Sequence, residues 1–322
     1  MPDTPSLSVI LTTPDDIQTI RKTLQHLQRQ TIADVIEMVI VAPIAAAIAP
    51  DDEMKTSFHA WKVVEAGEIT SIGRANAAGI RQASADTVVL AEDHCFPDAD
   101  WAENLVKAHA ESWAAVGPGV RNANPRTSVS WADLFIGYGP WLLPLAAREA
   151  DFLPGHNTSY KRDILLAYGS QLEAMMESET VLHWDLRAKG HRLYLQPAAR
   201  VSHTNFSKWS SWIPVQYFNG RVFAGSRVRQ MSFMKKLIYI GGSPLIPLVR
   251  LAKIAAPIRS PILLGRFIRC FPATLIGLIL DGMGQMAGYA FGSGNAVHQT
   301  ARYEFHRIRH ITSKDREDIF GE

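Results

Sequence analysis

The chain has 322 residues, of which 47% are hydrophobic and 20% charged, so it can build a sizeable core and is not globally disordered. Two cysteines, Cys95 and Cys270, exclude a disulfide framework and a cysteine-based zinc site. The net charge of +2 argues neither for nor against nucleic acid, which we do not expect among the partners. The N-terminus lacks a basic segment followed by a long apolar one, so no signal peptide is expected.

Strand and helix patterns alternate along the first part of the chain. Residues 8–11 predict a strand, and IQTIRKTLQHLQRQ has the apolar spacing of a helix, with Asp15 or Asp16 as its cap. Further strands are predicted at residues 35–41 and 88–91, the latter after the helix-like RANAAGIRQASA. This alternation predicts an α/β fold, with a mixed, mostly parallel sheet flanked by helices.

The strand at residues 88–91 runs directly into Glu92, Asp93 and His94. In such sheets functional groups gather beyond the carboxyl ends of the strands, so this turn is expected in a crevice. Carboxylate and imidazole groups there can hold a divalent cation, Mn²⁺ or Mg²⁺, which can neutralise a diphosphate. The alternative is a solvated loop in which Asp93 caps the following helix.

Charge and composition divide the chain in two. Residues 221–322 hold 15 Lys and Arg against 6 Asp and Glu, a net +9, whereas residues 1–220 hold 18 against 25, a net −7. From Lys235 onward the chain is rich in Leu, Ile, Gly and Pro, with seven basic residues before position 270. We therefore predict a domain at 1–230 and a basic apolar helical region at 231–322, interfacial or re-entrant at a membrane. The alternatives are a buried helical cap and a spanning helix at 270–292.

Five segments, in the same order, resemble the family-2 glycosyltransferases, of a bacterial membrane-associated type. They are SVILTT, GRANAAGI, LAEDHCFPDADW, LPGHNTSYKRDIL and ESETVLHWDLRAKGHRLYLQPAARVSH. The resemblance covers about residues 7–230 and implies the GT-A fold and inverting sugar transfer from a nucleotide-diphosphate donor. Two departures stand out: Glu92-Asp93-His94 replaces the family's DxD, and Val41-Ala42-Pro43 replaces the acidic segment that contacts the nucleobase.

The resemblance also implies roles for individual residues. Glu179 is the expected base that deprotonates the acceptor hydroxyl, with Glu177 as the second choice. His94 and His203 are the expected metal ligands; a histidine bonded at a strand edge is the equal alternative for His203. The expected donor-binding residues are Thr12, Arg74, Asn76, Glu92, Asp93 and Arg221, and the expected acceptor-binding residues are His156, Asn157 and Trp184. For Trp184 we favour packing in the core over stacking on a sugar.

The expected function is sugar transfer to a hydroxyl acceptor, glycan or lipid-linked, in cell-envelope or exopolysaccharide synthesis at the cytoplasmic face of the plasma membrane. The main rival is a degenerate GT-A domain that binds a nucleotide or glycan without turnover. A nucleotidyltransferase on a similar sheet is a weaker rival, because the glycine-rich N-terminal loop of such enzymes is missing.

Overall fold

The computed structural model describes residues 4–228 and 231–321, which divide into two compact units. Unit 1 comprises residues up to Arg121 together with Leu143–His203, and unit 2 comprises Asn122–Leu142 together with Thr204 onward. The predicted boundary at residue 230 falls on a position outside the described residues. The assignment of 1–230 and 231–322 as functional domains stays a prediction.

Unit 1 is built on a nine-stranded sheet. Its strands are β1 Leu7–Thr12, β2 Ile36–Ala42, β3 Ala60–Glu65, β4 Thr87–Ala91, β5 Cys95–Pro97, β6 Ala115–Asn122, β7 Arg148–Ala150, β8 Ser159–Lys161 and β9 Leu193–His203. The order is β3-β2-β1-β4-β8-β6-β9-β5, with β7 also paired to β9. Strands β1 to β4 pair in parallel, and the pairs that involve β5, β7 and β8 are antiparallel. The expected α/β class with a mixed sheet is confirmed.

Helices of unit 1 flank this sheet. They are α1 Ile17–Gln28, α2 Asp52–Thr56, α3 Ile72–Gln82, α4 Trp101–Ala108, α6 Arg162–Leu166, α7 Leu172–Met176 and α8 Glu179–Ala188. The predicted apolar face of α1 is buried. Helix α1 begins after Asp16, whose side chain accepts a hydrogen bond from the amide of Gln18, as the capping prediction required. Helix α4 begins after Asp100, so Asp93 does not cap it.

Unit 2 is helical. Its helices are α5 Ser128–Tyr138, α9 Trp209–Val228, α10 Phe233–Gly242, α11 Ile246–Ala255, α12 Pro261–Phe291, α13 Ala296–Glu304 and α14 Ser313–Phe320. The 31-residue α12 packs along α9 and α5 and also contacts α10 and α11. Two stretches, Phe233–Ala255 and Pro261–Phe291, are long and apolar enough to cross a membrane by length and composition.

A polar network holds the interior of unit 2 together. The carboxylate of Asp133 on α5 accepts hydrogen bonds from the Trp212 indole and the Gln216 amide, each at 3.0 Å, and from the amide of Phe206. The Arg307 guanidinium lies 3.5 Å from the same carboxylate. Burial raises the pKa of Asp133 to about 6, although the charge of Arg307 opposes this. These bonds join α5, α9 and the C-terminal segment into one folded unit.

Candidate active site

Helix α1 holds the turn that follows β4 in place through hydrogen bonds to its backbone. The buried hydroxyl of Thr23 donates to the carbonyl oxygens of Glu92 and Asp93, at 3.2 and 2.9 Å. Glu92, Asp93 and His94 are all at least nine-tenths buried. The expectation that the acids stand in an open crevice is therefore replaced by an enclosed polar cluster, which needs internal partners.

Asp93 orients the imidazole of His94. Its Oδ1 lies 2.5 Å from His94 Nδ1, so that nitrogen is the one that donates a proton to the carboxylate. The other nitrogen, Nε2, then presents a lone pair and lies 3.4 Å from Glu92 Oε1. A carboxylate that fixes the tautomer in this way is the usual support for a histidine that ligates a metal. The predicted contact of Asp93 with the donor stays a prediction.

Strand pairing brings a second histidine to the same place. In the antiparallel pair of β5 and β9, His203 stands opposite Cys95, the residue after His94. The two imidazole rings meet edge to face, with centroids 5.0 Å apart, and His203 Nε2 lies 3.5 Å from Glu92 Oε2. A pairing of strands that are a hundred residues apart in sequence thus completes the cluster.

Glu92, His94 and His203 form a set of potential ligands for a divalent ion. One donor atom from each lies within 4.8 Å of the others, and all three residues are buried. Two imidazole nitrogens and one carboxylate suit Mn²⁺ better than Mg²⁺, which prefers oxygen ligands. The residues therefore fit the expected divalent cofactor, and the structure adds Glu92 to the two ligands that the sequence predicted.

The segment at residues 153–157 forms the wall beside this cluster. His156 lies between two carboxylates, with Nδ1 3.6 Å from Glu92 Oε1 and Nε2 3.9 Å from Glu179 Oε1. Asn157 adopts a left-handed backbone conformation, with φ 59°. Its side-chain Nδ2 donates a hydrogen bond to Glu92 Oε2 at 3.3 Å. The structure thus places His156 and Asn157, two of the three expected acceptor-binding residues, against Glu92, a potential metal ligand.

Glu179 is the first residue of α8, and it reaches this wall from the opposite side. Its carboxylate lies so close to Gly155 that a Cβ there would come within 2.7 Å of Glu179 Oε2. Glu177 is placed differently, because its carboxylate accepts a hydrogen bond from Ser71, the cap of α3. Of the two acids predicted as the base, Glu179 is the one that lies beside His156 and the Glu92 cluster.

A buried histidine that the sequence did not predict as a site residue contacts both strand β8 and the 153–157 segment. His183, one turn after Glu179 on α8, accepts a hydrogen bond at Nδ1 from the amide of Leu153 at 3.3 Å. Its Nε2 lies 2.9 Å from the hydroxyl of Tyr160 on β8, and must be the protonated nitrogen. Burial lowers the pKa of His183 to about 3, so the ring stays neutral and keeps both bonds. In the sequence, its position four residues after Glu179 indicated that both side chains lie on the same face of a helix.

Cys95 lies beside the cluster but is not a nucleophile. Burial, and after it the negative charge of Glu92, raises the pKa of the Cys95 thiol well above its usual value. The thiol therefore stays protonated.

The remaining predicted site residues are more widely placed. Thr12 is buried at the end of β1, and Asn76 is buried on α3. Arg74 is exposed on α3, with Nε 4.0 Å from Glu173. Trp184 is 40% exposed on α8, so it is not the core residue that we favoured. Arg221 belongs to unit 2, where its Nε donates to the carbonyl of Gly292 at 3.1 Å.

The fold and the cluster together define a class of proteins. A solved mannosyltransferase, PcManGT from Pyrobaculum calidifontis in complex with GDP-Man and Mn²⁺, is 17% identical over 88% of both chains, with a TM-score of 0.51. GalNAc-T7, solved with UDP, GalNAc and Mn²⁺, is 12% identical over 84% of this chain and 55% of its own, with a TM-score of 0.51. The fold is accordingly that of the GT-A glycosyltransferases.

The sequence places the chain within that class. Residues 8–169, just over half of its length, match the family described as Glycosyl transferase family 2. The chain belongs to this family, which confirms the family that the sequence resembles; the match does not reach the fifth segment, residues 177–203. No curated protein sequence is similar enough to count as a match. The match ends before Glu179 and His203.

Proposed function

We propose that this protein is an inverting hexosyltransferase that moves a sugar from a nucleotide-diphosphate donor to an acceptor hydroxyl. The observation that carries the proposal is the position of His156, which lies within 3.6 Å of Glu92 and 3.9 Å of Glu179. A carboxylate at the start of α8 thereby stands beside a group of metal-ligand side chains. Inverting transfer requires this pairing, because base and leaving group act on opposite sides of one sugar carbon.

Glu92, His94 and His203 are the side chains that hold the ion in this proposal. When bound, the ion supplies positive charge that stabilises the departing nucleoside diphosphate. Both similar structures contain Mn²⁺ together with GDP-Man or with UDP and GalNAc, which supports a nucleotide-sugar donor for this chain. Thr12, Arg74, Asn76 and Arg221 remain the proposed additional donor contacts.

Glu179 takes the proton from the acceptor hydroxyl in this proposal. Its side chain is 14% exposed and lies beside Gly155, which has no side chain to cover it, so a substrate can reach the carboxylate. His156 and Asn157 border the same space and can donate hydrogen bonds to acceptor hydroxyls. Trp184, exposed on α8, is the proposed stacking surface for an acceptor sugar.

The proposed acceptor is a lipid-linked glycan, used in cell-envelope or exopolysaccharide synthesis at the cytoplasmic face of the plasma membrane. Support comes from the two apolar stretches of unit 2 and from the excess of basic residues around them. We expect the protein to sediment with membranes after cell lysis and to bind anionic liposomes. A protein that stays in the supernatant and ignores such liposomes contradicts this part of the proposal.

The proposed sugar transfer is tested by measuring release of nucleoside diphosphate from a panel of GDP-sugars and UDP-sugars in the presence of Mn²⁺. We expect Glu179→Gln to lower kcat about 10²- to 10⁴-fold, the usual contribution of a catalytic base, with Mn²⁺ affinity unchanged. Glu177→Gln is the matched variant and should lower kcat far less. Equal rates for wild type and Glu179→Gln reject this base. No turnover with any donor, despite nucleotide binding, identifies the rival function of a binding domain.

A further inference from the structure

The outer face of α12 is apolar along its last 21 residues. Every exposed residue between positions 271 and 291 is apolar. The large ones, which are 38% to 81% exposed, are Phe271, Ile276, Ile279, Met283, Met286 and Phe291. Single exposed apolar residues are common on water-soluble proteins, but a continuous stripe with no polar member marks a surface that meets something other than water.

The buried face of the same helix has the opposite character. Gly277, Gly284 and Gly288 lie against α9, where a Cβ on Gly284 would come within 2.0 Å of the Tyr217 carbonyl oxygen. Asp281 and Gln285 are buried beside them. At 100° per residue, the three glycines and the exposed Ile276, Ile279, Met283 and Met286 are centred about 140° apart around the helix. Helix α12 is therefore polar and small inside, and large and apolar outside, which is the pattern of a helix in contact with lipid.

Charges around the stripe favour an anionic lipid bilayer over a second copy of this chain. Helices α10 and α11 contact α12 and expose further large apolar residues, among them Phe233, Ile238, Leu248 and Val249. Basic residues accompany them: Lys235, Lys236, Lys253, Arg259, Arg266 and Arg269. Asp281 is the one acidic residue between positions 233 and 291, and Arg250 Nη1 neutralises it at 2.7 Å. Such a surface is repelled by its own copy but attracted by phosphate headgroups.

The neighbours of α9 argue against a helix that crosses the bilayer. Helix α9 packs on the face of α12 opposite the stripe, and α13 packs on α9. Helix α13 exposes His298 and Arg302, and its Thr300 donates a hydrogen bond to Asn219 of α9. If α12 crossed the membrane, these polar helices would enter the hydrocarbon interior with it, which is costly. An α12 that lies in the plane of the membrane leaves them in water.

We propose that α10, α11 and α12 form a monotopic membrane surface, immersed in the acyl chains of one leaflet without crossing to the other. The stripe on α12 enters the hydrocarbon, and the surrounding Lys and Arg side chains reach the phosphate groups. This inference rests on the proposed membrane association and is independent of the proposed sugar transfer.

Sidedness of chemical labelling tests the topology. Pro257→Cys and Asn295→Cys place thiols at exposed positions just before and just after α12, in a chain with Cys95→Ala and Cys270→Ala. An impermeant maleimide is applied outside sealed membrane vesicles, and Lys107→Cys, on the exposed surface of unit 1, reports which side the catalytic unit occupies. We expect all three thiols to react from the same side. Reaction of Pro257→Cys and Asn295→Cys from opposite sides overturns the proposal.

A charge placed in the stripe tests the surface itself. Ile279→Lys should lower binding to vesicles of phosphatidylcholine and phosphatidylglycerol at least 10-fold, because the new charge must enter the acyl layer. Ile44→Lys, at a 60% exposed isoleucine of unit 1, is the matched control and should leave binding unchanged. Circular dichroism verifies that both variants fold. Release of nucleoside diphosphate from the donor during transfer to a soluble acceptor monitors the catalytic unit separately.

Two further outcomes reject the inference. If 1 M salt alone releases the wild type from vesicles, the attachment is electrostatic and the stripe is not immersed. If the wild type is a dimer in solution and Ile279→Lys makes it monomeric without changing vesicle binding, the stripe is a contact between copies of this chain.

Discussion

Single residues at the proposed site occur in pairs, in which one is the proposed ligand or base and the other fixes its partner's position. Asp93 holds His94 at 2.5 Å, and Gly155 leaves the space that the Glu179 carboxylate fills. Residue type in the sequence predicted the proposed reactive member of each pair, because acids and imidazoles carry chemistry in any context. The supporting member depends on a neighbour, which only the fold supplies.

Gly155→Ala should displace Glu179 from its position beside His156. A Cβ at residue 155 would stand 2.7 Å from Glu179 Oε2, well inside the contact distance. We expect a loss of kcat of about 100-fold, since a 1 Å error in the position of a catalytic group costs that much. The steady-state rate with Mn²⁺ and the best donor is the measurement. Gly137→Ala, in the open part of α5, is the matched control and should retain full activity. Full activity in Gly155→Ala contradicts the assigned position.

His203→Gln should weaken Mn²⁺ binding at least about 10-fold, because the loss of a group that only supports a metal ligand already costs about 10- to 100-fold. The imidazole Nε2 lies 3.5 Å from Glu92 Oε2 and completes a group of three potential ligands. Titration of the apoprotein with Mn²⁺, followed by electron paramagnetic resonance, gives the affinity directly. His298→Gln, at an exposed histidine of α13, is the control. An unchanged Mn²⁺ affinity in His203→Gln removes this residue from the ligand set.

Secondary-structure elements explain which parts of the site the sequence could predict. Strands β1, β2 and β4 are buried and mostly apolar, and α1 and α3 read as helices in the sequence, so their positions followed from the pattern within three residues. Strand β8 has only three residues, and β9 alternates imperfectly, so neither pairing was predictable from periodicity. Yet the β5–β9 pairing alone brings His203 to His94. Long-range register is set by packing, which local patterns do not contain.

The imidazole of His183 joins α8 to strand β8 and to the 153–157 segment. Substitutions at His183 should therefore show the separate effects of its two hydrogen bonds. His183→Asn keeps an acceptor near Nδ1 for the Leu153 amide, whereas His183→Gln keeps a donor near Nε2 for Tyr160. We expect His183→Asn to retain acceptor KM better, because the Leu153 bond holds the segment that carries His156. His183→Phe should lose both bonds and lower kcat by at least 10-fold.

Separate measurement of kcat and acceptor KM distinguishes positioning from simple loss of stability. Tyr160→Phe is the matched variant for the second bond and should resemble His183→Asn. If all four variants change activity only in proportion to their loss of folded protein, His183 has a structural role alone.

At the scale of the whole molecule, the sequence predicted the α/β fold of unit 1 but not the extent of the helical unit 2. Acid and base composition separated the chain near residue 221, but the compact unit also takes residues 122–142 from the middle of the sequence. Helix α5 is mostly apolar, with Ser128, Ser130 and Asp133 as its polar members, and this composition fits burial in either unit. Its assignment depends on the Asp133 network with Trp212 and Gln216, a long-range contact without a local signal.

Stability of unit 1 should fall as the pH is lowered below about 6.5. Burial holds the pKa of His183 at about 3, and burial with the charge of Lys161 holds that of His109 at about 4. Both groups charge near pH 6.5 in the unfolded chain, so the unfolded state binds more protons between pH 6.5 and pH 4. The stabilisation is therefore present above pH 6.5 and is lost as the pH falls through this interval.

Urea unfolding of wild type and His109→Gln between pH 7.5 and pH 4.5 measures this effect. Each histidine contributes at most about 1.4 kcal/mol per pH unit to the slope, and the variant should lose one such contribution. His298→Gln, at an exposed position, should leave the slope unchanged. Parallel slopes for wild type and His109→Gln contradict the buried neutral state.

The antiparallel pairing of β5 with β9 has a consequence for the synthesis of the protein. His203 is the last residue of β9 and lies 109 positions after His94, so a nascent chain shorter than 203 residues lacks one member of the cluster. A ribosome-bound fragment that ends before residue 203 thus lacks the full set of potential ligands. Mn²⁺ should accordingly raise the melting temperature of the finished polypeptide, by the linkage between binding and folding, and should leave a fragment that ends at Gly169 unaffected.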